Sequence, residues 1–192
     1  MVTLSLLIWI WANYANNKGF GYDLNPGNSS EFSDGGWYIY TDYKINSITQ
    51  AGMAFELIND PDGNDNVSCK EQIIAINSEP QDYIMILGGS EWGSHYDKIE
   101  LVFTDGEKST IDIGLTNVAG AESVYGNEKI PVGKYVFKGK DSVDLTPYEA
   151  SLYAKVLPVG RNQGISRLKL PYCPNMHIFA ISFARNIKEN RI

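Results

Sequence analysis

No CxxC motif and no cluster of histidines and cysteines occurs in this sequence, which argues against a structural zinc site. The two cysteines, Cys69 and Cys173, lie far apart and leave two states open, one disulfide or two separate thiols. Basic runs are missing too. Lys and Arg number 16 against 23 Asp and Glu, for a formal net charge of -7, and no basic cluster interleaves with aromatics. A surface that tracks nucleic-acid phosphates is therefore not expected. Residues 2–11 (VTLSLLIWIW) are apolar, but they fall short of the roughly 20 residues a membrane-spanning helix needs. They also lack the basic start of a signal sequence, so a first strand lying between layers is expected there. Helical periodicity is the last absence: no window of about a dozen residues carries a 3.6-residue apolar repeat.

What is present is sheet chemistry. Hydrophobic residues make up 43% of the chain and aromatics 12%, with 12 Tyr, 4 Trp and 18 Gly. That balance favours an all-β domain with many turns. A length of 192 residues suits one sizeable core and is short for two, so a single domain is expected. Period-2 runs recur at residues 37–45, 52–58, 71–76, 82–87, 134–138, 150–159, 165–170 and 176–183. The last is apolar on both faces and should be a central strand under cover. Residues 20–36, 59–66 and 116–131 read as polar surface loops, and Gly88-Gly89-Ser90 as a break between strands. Residues 185–190 would pass for a frayed helical turn. About ten strands with almost no helix imply a two-layer antiparallel β-sandwich of jelly-roll type.

The clearest pair of strands is residues 98–115 (KIELVFTDGEKSTIDIGL). Ile99, Leu101 and Phe103 alternate with polar neighbours, as do Ile111, Ile113 and Leu115 after the turn. A two-residue Asp105-Gly106 loop would set Leu101 against Thr110 and mix the faces. A three- or five-residue loop with Gly106 at positive φ keeps one apolar face, placing Leu101 against Ile111 and Ile99 against Ile113.

Several stretches in order carry a resemblance. They are Asp65-Asn66-Val67 with Gln72-Ile73, Leu87-Gly88, Val102-Phe103-Thr104-Asp105-Gly106, Leu152-Tyr153-Ala154 with Leu157-Pro158, and Leu168-Lys169-Leu170-Pro171 with Asn175-Met176-His177-Ile178-Phe179-Ala180. The series resembles the galactose-binding-like β-sandwich modules attached to bacterial glycoside hydrolases and other carbohydrate-active proteins. The resemblance implies a non-catalytic carbohydrate-binding module with a glycan ligand, acting outside the cell or at its surface. Such modules often continue the hairpin into an aromatic, where this chain has Thr116-Asn117-Val118, and often carry an arginine where this chain has Lys134-Tyr135-Val136-Phe137.

A sugar site needs a flat aromatic ring plus charged or amide groups that fork onto hydroxyls. Trp92 or Tyr96 would supply the platform, and Glu91 and His95 the hydrogen bonds. The plainer reading makes Trp92 a cap folded over the sandwich edge. Trp37, Tyr38, Tyr40 and Tyr43 read mainly as core and cross-strand pairs. They also allow a second function, an assembly domain whose exposed tyrosines contact another chain or a second copy. Residues 60–66 have the oxygen density of a calcium loop without the distal glutamate of an EF-hand. His177, inside the most apolar strand, reads as a satisfied core histidine. No cofactor motif is present, since Gly88-Gly89-Ser90 precedes no helix. No catalytic pair stands out, although Glu91, Glu122 and Glu128 leave a small hydrolase or lyase as a third function.

Overall fold

The computed structural model describes residues 13–27, 29–32, 35–58 and 63–185. The strand expected at residues 2–11 lies outside these, as do Asp60, Pro61 and Asp62 of the acidic loop and residues 186–190 of the tail. The described residues form thirteen β-strands and no helix, three strands beyond the ten or so that the pattern suggests. Seven of them make one sheet, in the spatial order β1 (Phe20–Gly21), β2 (Trp37–Tyr40), β10 (Glu128–Lys138), β11 (Val143–Pro158), β7 (Tyr83–Ser90), β13 (Tyr172–Ala184), β5 (Val67–Lys70). Four make a second, ordered β6 (Ile73–Ala75), β12 (Ile165–Lys169), β8 (His95–Phe103), β9 (Lys108–Leu115). A hairpin of β3 (Ser47–Gln50) and β4 (Met53–Glu56) stands apart. Pairing among the named strands is antiparallel except between β1 and β2.

The seven-stranded sheet is covered on both faces. Ile84, Ile86, Met176 and Ile178 meet Ile74, Ile99, Leu101, Phe103 and Leu168 of the four-stranded sheet in one core. On the other face Leu87, Leu152 and Phe179 meet Ile48, Met53 and Phe55 of the β3–β4 hairpin. This explains why β13 is apolar on both sides. A bulge between Ile178 and Ala180 lets Phe179 and Ala180 join the same core in succession, after which Ile181 returns to the first.

The β8–β9 hairpin has the odd loop that the apolar pattern requires. Thr104-Asp105-Gly106 is closed by the Phe103 N–H donating to the Glu107 carbonyl (2.9 Å), and Gly106 has φ +88. The register differs by two residues from the expected one: Ile99 faces Ile111, but Leu101 faces Ser109. A slip of two keeps every side chain on its own face, so the apolar pattern cannot tell these registers apart. Gly88-Gly89-Ser90 is likewise not a break but the end of β7. A Cβ on Gly88 would lie 2.6 Å from the His177 carbonyl oxygen, and one on Gly89 would lie 2.2 Å from Val118 Cγ1. Glycine here is what allows neighbouring segments to pass close.

Cys69 and Cys173 are both free, although their Cα atoms pair directly across β5 and β13. Burial pushes both thiols up and away from the reactive thiolate form. Native protein is expected to present at most one thiol, the half-buried Cys173, to an aromatic disulfide reagent, and unfolding in urea to release the second. Rapid titration of both thiols without denaturant would contradict the burial of Cys69.

Candidate functional site

The turn after β7 sets the geometry. Ser90 Oγ donates to the Gly93 carbonyl (2.7 Å), while Trp92 and Gly93 adopt φ of +56 and +124. The left-handed backbone turns the Trp92 ring outward, where it is 66% exposed and lies against Gly35, Cζ2 being 3.1 Å from where a Cβ on that glycine would sit. Glu91 goes the other way, 1% exposed, its N–H donating to the Asn175 carbonyl (3.0 Å). His95 is half-buried with Nε2 bonded to the Glu91 carbonyl (3.0 Å). Tyr96 is 57% exposed and leans on Tyr125 over the four-stranded sheet. Of the four residues singled out from sequence, Glu91 alone lines the cleft described next.

That cleft, of about 420 Å³, is walled by Asn16 and Asn17, by Glu31 and Phe32, by Ser68 and Lys70 of β5, by Glu91, and by Pro174 and Asn175. A bulge makes it. The β13–β5 register jumps from Cys173↔Cys69 to His177↔Ser68, throwing Pro174 and Asn175 outward, and Ser68 Oγ donates to the Pro174 carbonyl (2.7 Å). A proline within a strand is tolerated at such a bulge. Glu31 is held by the Gly36 N–H (3.1 Å) and by Lys138 (3.5 Å). Among the described residues the side chains of Lys70 and Asn175 make no hydrogen bond or ion pair with the protein.

Behind the cleft wall runs a fully buried line of polar groups. The Asp65 carboxylate accepts the N–H groups of Gly19 and Phe20 (both 2.9 Å) and the Asn66 side-chain amide (2.8 Å). The same Asn66 amide nitrogen also donates to Asn17 Oδ1 (2.9 Å). With both acceptors on one side, the orientation of Asn66 is determined, and its Oδ1 faces His177 Nδ1 at 2.9 Å. An amide oxygen only accepts, so Nδ1 carries the proton and Nε2 turns to Glu91 Oε1, 3.3 Å away. Phe32 packs its edge against the imidazole, ring centroids 4.8 Å apart.

The electrostatics follow from burial. It pulls the His177 imidazole down, against the upward pull of its hydrogen bond and charge interaction with Glu91. It pushes the Asp65 carboxyl up to about 6, against the N–H donors that draw it down, and Asp65 remains ionised at neutral pH. Burial and the Glu91 charge also push up the phenol of Tyr135, which stacks on Trp37 at 5.0 Å.

His177 is the satisfied core histidine that the sequence suggests, fully buried with both ring nitrogens bonded; the sequence does not single out Asn17, Asp65 and Asn66 as site residues. Asp65 and Asn66, taken there as turn or calcium-loop residues, point inward. No group of three His, Cys, Asp or Glu side chains suited to a metal ion occurs among the described residues. Nor is any described helix long and apolar enough to cross a membrane. A second groove of about 310 Å³ on the outer face of the four-stranded sheet is lined by Lys108, Arg167, Lys169 and Glu100; Lys108 is paired with Glu100 (3.0 Å) and Lys169 with Glu71 (2.8 Å).

An all-strand chain in stacked sheets, with a polar cleft opened by a bulge, is a β-sandwich domain. Residues 10–187 match the family of AziU2-like beta-sandwich domains, and the chain belongs to that family. No curated protein matches it.

Proposed function

We propose that this chain is a carbohydrate-binding domain that seats a small polyhydroxylated ligand in the cleft beside Glu91. The observation that carries this reading is a concave polar site of about 420 Å³ in which Lys70 and Asn175 hold side-chain donors not used by the protein. A pocket of that size falls within the range that holds small molecules. Trp92 presents an open ring on the adjoining turn. The resemblance to galactose-binding-like modules supports the same ligand class.

The test is a saccharide panel read by affinity electrophoresis and by chemical-shift changes. A neutral or acidic saccharide is expected to bind, with Lys70→Ala and Asn175→Ala each weakening it about tenfold, the usual range for one lost polar contact. Trp92→Ala is expected to cost less, since its ring lies outside the cleft wall. Binding that survives both cleft substitutions at full strength would move the site elsewhere, and a panel without any binder would overturn the reading.

A further inference from the structure

We propose that the outer border of β9 is a self-association surface, on which two copies of this chain pair antiparallel about a two-fold axis through Thr110. The inference stands apart from the cleft, since β9 contributes nothing to the cleft wall.

β9 is the end strand of the four-stranded sheet and, at eight residues, the longest border strand of the two larger sheets; β6, β5 and β1 have three, four and two. Its pairing with β8 runs without a register shift, and it holds no proline. Opposed residues in an antiparallel ladder exchange hydrogen bonds at every second pair. The Phe103 N–H, donating to the Glu107 carbonyl, fixes the phase. Ser109, Ile111 and Ile113 therefore turn their backbone groups to β8, and Lys108, Thr110 and Asp112 turn theirs outward. Those three residues are exposed, and among the described residues nothing bonds to their outward N–H and carbonyl groups. The free stretch ends at Gly114. There the carbonyl accepts the Asn127 side-chain amide (3.0 Å), and the Tyr125 ring fills the space that a Cβ would take. An open, regular border of this kind is a template for another strand.

Charge selects the occupant and the register. In a two-fold pairing, a residue opposed to a second position is matched by the same contact in reverse. Centred on Thr110, the pairing sets Lys108 of each copy opposite Asp112 of the other and uses all three outward residues. The sign then alternates across the seam, from Lys98 to Asp112, which are 2.6 Å apart, and on to Lys108 of the second copy. Centring on Lys108 or on Asp112 would oppose like charges. Centring on Ser109 carries Asp112 to Gly106 of the loop, and centring on Ile111 carries Lys108 to the occupied Gly114. The present contact of Lys108 with Glu100 (3.0 Å) is an exposed ion pair, weak enough to rearrange. On the inner face Ile111 is half-buried at the edge of the core, and the pairing continues that apolar edge from one copy into the next.

Sedimentation velocity over a wide range of protein concentration is expected to show a reversible monomer–dimer equilibrium. Lys108→Asp and Asp112→Lys should each weaken the dimer about tenfold or more, because each puts like charges opposite one another on both sides of the axis. An equimolar mixture of the two variants should associate as the unaltered chain does, since each copy then opposes the other's charges. Hydrogen exchange gives a second readout. The amides of Lys108, Thr110 and Asp112 should slow as concentration rises, while those of Ser109, Ile111 and Ile113 stay slow throughout. A chain that sediments as a monomer at every concentration overturns the proposal. So does a dimer indifferent to both substitutions, or a mixture of the folded variants that fails to associate. Outward amides that are slow at every dilution also overturn it, since another part of the chain would then cover them. If either variant does not fold, the exchange pattern of the unaltered chain decides.

Discussion

Asp65→Ala is expected to destabilise the fold by about 4 kcal/mol near pH 5, lowering the melting temperature by roughly 10 °C. The carboxylate takes two backbone N–H groups and the Asn66 amide. Alanine leaves these donors buried without a partner, each worth about 1–3 kcal/mol. The loss spreads, because Asn66 is then free to turn over and present an N–H to the protonated Nδ1 of His177. The pH dependence has a definite sign. Burial holds the Asp65 carboxyl at about 6 in the folded protein, above the ordinary 3.8. A group raised on folding contributes most below its unfolded value and loses that contribution as pH rises through the folded one. The cost of Asp65→Ala should therefore shrink between pH 4 and pH 7, by on the order of 2–3 kcal/mol at about 1.4 kcal/mol per unit. Urea denaturation of both proteins at pH 5 and pH 8 measures it. A cost that grows with pH would mean that the N–H donors outweigh burial.

Gly133→Ala should be the next most damaging change, by about 3 kcal/mol, with no effect on any cleft residue. Gly133 lies in β10 just past a register shift from Pro131, between β11 and β2. A Cβ there would stand 2.2 Å from the Tyr40 carbonyl oxygen and 3.3 Å from Ile39 Cγ2. The first is a backbone atom, so no side-chain rotation relieves the overlap. Either the β2–β10 pairing opens around Lys134↔Tyr40 or the bulge is rebuilt. Melting curves of Gly133→Ala and Gly52→Ala make the comparison, since a Cβ on Gly52 meets nothing within 4 Å. Gly52 has φ +77, so its substitution carries backbone strain alone, and equal losses would remove the steric argument.

The sandwich was legible because burial on one face of a strand leaves a period of two, and residues 98–115 show it plainly. The parity of that hairpin loop followed from keeping Ile99, Leu101 and Phe103 on one side. Its register did not, since a slip of two leaves the same sides buried. Gly88 and Gly89 misled in the opposite direction. Absence of a side chain looks like a turn when the segment that fills the space is almost ninety residues away, as His177 is from Gly88. The cleft suffered most from this. Glu91 was picked out as a polar residue beside aromatics. Its buried partner is a single histidine in a strand of apolar neighbours, which in one dimension looks like a core residue and is one. Asn17, Asp65–Asn66, Glu91 and His177 come from four separate stretches, brought together by the pairing of β13 with both β7 and β5 and by the bridge between Asn17 and Asn66.

One consequence lies at the outer rim of β5. The Asn16 side chain accepts from the Ser68 N–H (2.8 Å) and donates to the Ser68 carbonyl (3.2 Å), while the N–H groups of Asn16 and Asn17 reach the Asn66 carbonyl (3.1 and 3.2 Å). The groups through which another chain would zip onto this border are already spent at Asn66 and Ser68. Copies of the molecule therefore cannot polymerise strand-to-strand through that stretch. The mouth beside it stays open to something small.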